Sequence, residues 1–135
     1  MHPPSLLDTD ILSELFKGND SIKTKAAAYI HEHTQLTISQ ITKYEVLKGL
    51  KAKDAQKQIG VFLKFCEHNI VLSITDSAIL KAADIYAALK KQGKLISDAD
   101  ILVAAIAITT NLILVTNNID HFSRIDGLQL DNWKT

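Results

Sequence analysis

This chain predicts an α/β domain built on a mainly parallel, twisted sheet, and three observations carry that prediction. Short apolar runs recur at residues 5–7, 36–38, 70–74 and 112–115, each flanked by polar or turn residues, as strands buried on both faces require. Segments with helical spacing of apolar residues fill the gaps between these runs. Strands alternating with helices select a parallel sheet, because parallel neighbours need long crossover connections. Third, residues 101–108 are apolar nearly all round the helix they would form, so that helix belongs against the sheet and not at the surface.

Taken in order, the first strand leads into a stripe of Ile11, Leu12, Leu15 and Phe16, which Gly18 ends; glycine just past the last periodic residue is a helix stop. Ile22, Ala26, Tyr29 and Ile30 make a second helical stripe before the strand at 36–38. Between Gln40 and His68 two helical patterns follow one another without a strand, joined near Lys51-Ala52-Lys53-Asp54, with Ile59, Phe62, Leu63 and Cys66 on the second. That is a helical hairpin inserted in the alternation, and it offers a partner surface. After the strand at 70–74, the spacing of Ile79, Ala83, Tyr86 and Leu89 predicts a helix from Thr75 to Lys91. The buried helix and the strand at 112–115 follow, and Leu128-Gln129-Leu130 alternates as an edge strand does before Trp133. No repeat, low-complexity tract or Pro/Gly/Ser-rich linker interrupts the chain, so residues 1–135 are expected to form one domain.

Composition narrows the function. A chain that is 47% hydrophobic and 22% charged is neither a disordered nor a membrane composition. The longest unbroken apolar run has eight residues, against the roughly 18–20 a bilayer-spanning helix needs. Met1-His2-Pro3-Pro4 lacks the basic stretch and apolar core of a secretory signal, so a cytoplasmic location is expected. Cys66 is the sole cysteine, which excludes an internal disulfide and a cysteine-rich zinc site; it is expected to pack as a small hydrophobe. The net charge is zero, yet 14 of the 15 cations are lysines. If several acids gather in one pit, the remaining surface is more basic than the total, and lysine suits contact with phosphate without base reading.

The acids are where the chemistry points. Asp8 closes Leu6-Leu7-Asp8-Thr9-Asp10 at a strand tip. A helix cap explains one of the two acids there; Asp10 is expected to be the cap and Asp8 the ligand. Glu45 lies one to two turns into the helix after the second strand, and Asp100 stands one position before the apolar helix, inside Ser97-Asp98-Ala99-Asp100, which reads as a capping box. Thr116-Asn117-Asn118-Ile119-Asp120 follows the fourth strand. Side chains just past the carboxyl ends of parallel strands converge on one crevice. Two carboxylates about 4 Å apart would repel by roughly 4 kcal/mol at an effective dielectric near 20, and a bound cation reverses that sign. All-oxygen ligation selects Mg²⁺, with Mn²⁺ a substitute, over zinc. The pair His31 and His33 is spaced so that the two rings point apart on a helix, and both are expected to face solvent.

These segments resemble the PIN-domain ribonucleases, and most closely the VapC toxins of bacterial toxin–antitoxin operons. Leu6-Leu7-Asp8-Thr9-Asp10-Ile11 is similar to that family's opening strand and first acid, Ser39-Gln40-Ile41-Thr42-Lys43-Tyr44-Glu45-Val46 to its second-acid segment, Asp100-Ile101-Leu102-Val103-Ala104-Ala105 to its third, and Leu114-Val115-Thr116-Asn117-Asn118 to its fourth. Phe122, Gly127-Leu128 and Trp133 resemble its C-terminal stretch. The resemblance implies a three-layer α/β/α PIN-like fold, a catalytic metal held by Asp8, Glu45 and Asp100, and Asn118 in a fourth position that is often Asp, with Thr116 beside it. An amide lacks the full charge, a deficit Asp120 would make up. It further implies an RNA substrate, tRNA among the candidates, a homodimer, and inhibition by a small VapB-like antitoxin. Two other readings compete: Asp8-Thr9-Asp10 also resembles the opening of haloacid-dehalogenase phosphatases, where the first Asp is a covalent nucleophile, and a non-catalytic interaction module would use the acids as caps alone.

Overall fold

Ser5–Leu7 forms β1, whose three residues are all buried. In this computed structural model, which describes residues 2–135, β1 pairs in parallel with β4 (Ile113–Val115), Leu6 opposite Leu114 and Leu7 opposite Val115. On the far side of β4 lies β5 (Leu130–Asp131), also parallel. A second parallel pair, β2 (Thr37–Ser39) and β3 (Ile70–Leu72), lies against β1 through β2. The spatial order is therefore β3-β2-β1-β4-β5, with continuous ladders inside each group and none between β1 and β2.

The chain between these strands is helical: α1 (Thr9–Phe16), α2 (Asp20–His33), α3 (Gln40–Ala52), α4 (Gln56–His68), α5 (Asp76–Lys91), α6 (Asp98–Thr109) and the single turn α7 (Ile119–Phe122). Most begin on a side-chain cap: Asp8, Asn19, Ser39, Thr75 and Ser97 each accept a backbone N–H of the first turn, which answers part of the unsatisfied amide set at a helix start. α3 and α4 pack together as the expected hairpin, turning where Asp54 adopts a positive φ of 54°.

Alternation along the strands divides the core in two. Leu6 and Leu114 face a cluster built with α5 and α6, including Ala104, Ile106 and Phe122. Leu7 and Val115 face the opposite cluster with α1, α2 and α4, including Ile11, Tyr29, Phe62 and Trp133. The sheet is thus covered on both faces, a three-layer α/β/α arrangement. α6 lies between α5 and the strands, and Ala104, Ala105 and Ala107 are fully buried there.

Several expectations shift on the structure. β2 starts at Thr37 and not Leu36, whose N–H is taken by the Asn69 side chain at 2.9 Å. β3 stops at Leu72, β4 starts at Ile113, and the last strand is Leu130–Asp131, starting two residues later than its alternation predicts. The buried face of α5 is Ala78, Ala82, Ile85 and Leu89; Ile79, Ala83 and Tyr86, the spacing on which the helix was read, face outward with Leu80. Ile30 and Leu63 are likewise exposed. His31 is exposed as expected, whereas His33 is half-buried, stacked on Tyr29 at 4.2 Å. Cys66 is a buried free thiol whose pKa burial pushes up. Among the described residues no helix is long and apolar enough to cross a membrane.

Candidate active site

Asp8 stands where β1 ends and α1 begins. Its N–H donates to Val115 O at 2.9 Å, extending the β1–β4 ladder by one residue, and its side chain then turns to cap α1, Oδ1 accepting from Thr9 N–H at 2.9 Å. Oδ2 accepts from the Thr116 hydroxyl, also at 2.9 Å. Thr116 is fully buried at the tip of β4, its own N–H bound to Asp131 O at 2.9 Å. The first acid is therefore clamped between two adjacent strand tips, at 6% exposure. Burial pushes its carboxyl up to about 7; the negative charge of Asp10, and more weakly that of Asp100, push the same way, against the hydrogen bonds from Thr116 and Thr9.

Asp10 occupies the first turn of α1 and is not the N-cap that the sequence suggested; the N-cap is Asp8. One oxygen of Asp10 accepts from Ile11 N–H at 2.7 Å and the other from Asn117 N–H at 3.0 Å. Asp10 thus ties the start of α1 to the loop after β4. Burial raises its pKa, opposed by those two backbone donors.

Glu45 is on α3, half-buried. It reaches Asp8 indirectly: the Thr9 hydroxyl donates to Glu45 Oε1 at 2.6 Å and lies 3.0 Å from the hydroxyl of Thr42. Thr42 is one turn before Glu45 on the same face. It is fully buried, its N–H bound to the capping Ser39 Oγ at 3.1 Å.

Asp100 sits at the third position of α6, where its N–H donates to Ser97 Oγ at 3.2 Å. The capping expectation holds for Ser97; the Asp100 carboxylate instead stands 3.5 Å from His121 Nδ1. That ring nitrogen is also 2.9 Å from the Asn118 side-chain amide, and Asn118 N–H donates to Thr116 Oγ1 at 3.0 Å. Asp120 is exposed on α7.

A continuous chain of contacts therefore runs Glu45, Thr9, Asp8, Thr116, Asn118, His121, Asp100. Thr9, Thr42 and His121 were not singled out from the sequence, although Thr9 adjoins Asp8 and Thr42 and His121 each lie three residues from a chosen residue. The donor set suits a hard divalent cation: it is all oxygen, and Asp8 is a buried carboxylate under pressure from two like charges, a state a cation relieves. Among the described residues no three His, Cys, Asp or Glu side chains stand at ligand spacing, so the fit rests on donor chemistry and charge. A groove leads away from Glu45 between α1, α3 and α4, with Phe16, Val46, Leu50 and Phe62 among its apolar walls and Lys17, Lys53 and Lys57 on its rim.

A family model described as PIN domain matches residues 5–128 of this chain, from β1 to just short of β5. Ribonuclease VapC1 of Haemophilus influenzae is 30% identical over 129 residues, covering 95% of this chain and 96% of that protein. The tRNA(fMet)-specific endonuclease VapC of Shigella flexneri is 31% identical over 134 residues, with 95% and 96% covered. Among solved structures, DNA-bound VapBC from Salmonella typhimurium superposes with a TM-score of 0.86 at 25% identity, over 98% of this chain and 99% of that one.

Proposed function

The chain belongs to the PIN-domain family, with VapC ribonucleases among its relatives, and from that premise we propose that it is a metal-dependent endoribonuclease, the toxin of a toxin–antitoxin pair. The observation that carries the reading is Asp8: a buried carboxylate clamped by Thr9 and Thr116, within the field of Asp10 and Asp100 and joined to Glu45 through Thr9, whose backbone N–H serves one carboxylate and whose hydroxyl serves the other. A carboxylate held at such electrostatic cost suits a cationic ligand.

In this reading Asp8, Asp100 and Glu45 would hold Mg²⁺, with Mn²⁺ able to replace it. Bound there, a divalent cation would supply Lewis acidity towards water and charge compensation for the departing oxygen. Glu45 orients the attacking water for in-line approach to phosphorus, and Thr116 with Asn118 fixes the surrounding water. The bond from phosphorus to the 3′-oxygen breaks as the bond from water forms, leaving 5′-phosphate and 3′-hydroxyl ends. RNA is the substrate and tRNA the class to test first, since a relative is named for tRNA(fMet). Lys17, Lys53 and Lys57 rim the groove that opens beside Glu45, and lysine meets phosphate without selecting bases.

The same groove suits the antitoxin. A small VapB-like partner laying an apolar segment over Phe16, Val46, Leu50 and Phe62 would close the approach to Glu45. Homodimerisation belongs to this proposal, with the outward Ile79, Leu80 and Tyr86 of α5 the apolar surface open to a second copy. So do action of residues 1–135 as one domain and a cytoplasmic location.

Cleavage of total tRNA, with Mg²⁺ and with chelator, tests the activity. The wild-type protein should cut only with the metal, and Asp8→Asn should lose roughly 10²–10³-fold in rate, the scale on which a lost charge-stabilising group registers. Asparagine also caps helices well, so the variant should stay folded. Robust cleavage by folded Asp8→Asn would refute the assignment.

A further inference from the structure

We propose that Thr9 is a positioning residue that couples the acids Asp8 and Glu45, and that Thr42 fixes the direction in which its hydroxyl donates. The inference rests on the nuclease reading above and concerns how its acids are set. Thr9 contacts both carboxylates with different groups: its backbone N–H donates to Asp8 Oδ1 at 2.9 Å, and its hydroxyl to Glu45 Oε1 at 2.6 Å. Asp8 belongs to the β1–α1 junction and Glu45 to α3, so this one residue spans two elements that otherwise meet through side-chain packing.

Counting protons fixes the polarity. An ionised carboxylate only accepts, and each threonine hydroxyl carries a single proton. The Thr9 proton is committed to Glu45, so at the 3.0 Å contact with Thr42 the Thr9 oxygen must accept and Thr42 must donate. Thr42 is fully buried and its N–H is anchored by Ser39 Oγ, so its side chain is held from the α3 side. The relay runs Thr42 to Thr9 to Glu45, ending on a charge-assisted bond shorter than the usual hydroxyl–oxygen distance for neutral partners. Removing the donor leaves Glu45 free to turn away from Asp8, while the Thr9 N–H to Asp8 survives any substitution except proline. The effect of a Thr9 change should therefore pass through Glu45 alone.

Manganese binding measured by titration calorimetry, without RNA, reads this directly. Thr9→Val, which keeps the shape and loses the donor, should weaken Mn²⁺ binding roughly 10–100-fold, the usual scale for loss of a group that orients a ligand. Thr9→Ser should keep wild-type affinity, and in a Glu45→Gln background Thr9→Val should weaken binding no further. Wild-type affinity in Thr9→Val, or a loss undiminished in the Glu45→Gln background, would overturn the proposal and leave the nuclease reading standing. A wild-type protein that binds no Mn²⁺ would overturn both. Should Thr9→Val not fold, Thr42→Val decides in its place: weakened Mn²⁺ binding that Glu45→Gln abolishes supports the relay, and unchanged binding overturns it.

Discussion

Asp8 is at once a helix cap and a buried charge, and the two roles pull its stability contribution in opposite directions. As a cap it satisfies Thr9 N–H; as a buried carboxylate beside Asp10 and Asp100 it resists ionisation, with a pKa raised from 3.8 to about 7. The sign of the pH dependence follows. Between those values the folded protein keeps a proton that the unfolded chain has released, so the fold loses stability as pH rises from about 4 to about 7 and levels off above, by an amount on the order of 4 kcal/mol. In chelator, the melting temperature of the wild type should fall across that window, and Asp8→Asn should lose most of the slope and melt higher at pH 7. A wild-type curve that rises or stays flat across the window would contradict the burial account. At this scale the sequence marked Asp8, Asp100, Thr116 and Asn118 by their places at strand and helix ends, and Glu45 by its place in the helix after the second strand. Thr9, Thr42 and His121 went unmarked because a hydroxyl or an imidazole reveals its role only through the partner its rotamer reaches.

At the level of elements the start of α6 was legible, because a cap acts within four residues. Ser97-Asp98-Ala99-Asp100 reads as a start, and Ser97 Oγ does accept from Asp100 N–H. Ser97→Ala should cost about 1 kcal/mol, lowering the melting midpoint by roughly 3–6 °C for a domain of this size. Thermal denaturation followed by circular dichroism checks it, and an unchanged midpoint would mean the cap contributes nothing. Helix facing was less legible. α5 carries two candidate stripes, and the larger side chains Ile79 and Tyr86 favour the wrong one. The structure buries Ala78, Ala82, Ile85 and Leu89 instead, in one apolar cluster with the residues of α6. The start of β2 moved by one residue because the Asn69 side chain takes the Leu36 N–H that a ladder would otherwise use.

Across the whole molecule, the C-terminus returns to close the layer holding α1 and α2. Trp133 is 2% exposed and lies 5.7 Å from the Tyr29 ring; its carbonyl accepts from the Ser21 hydroxyl at 2.8 Å, while the Tyr29 hydroxyl accepts from Ser5 N–H at 3.0 Å. One aromatic side chain thus joins the chain's end to α2 and, through Tyr29, to β1. Trp133→Ala should cost roughly 3–5 kcal/mol through the cavity it leaves, measurable as a lower urea midpoint; a loss under about 1 kcal/mol would mean that layer closes without it. The alternation of strands and helices, the inserted hairpin and the four acidic segments were all present in the order of residues, and the family assignment removes the phosphatase reading of Asp8-Thr9-Asp10. Those features are local, set by periodicity and by which residue follows a strand. Tertiary structure alone decided which strand tip clamps Asp8, which face of α5 turns inward, and how Glu45 is tied to Asp8. Each of these depends on a contact between residues far apart in the chain, and a linear pattern carries no information about the distance that folding leaves between them.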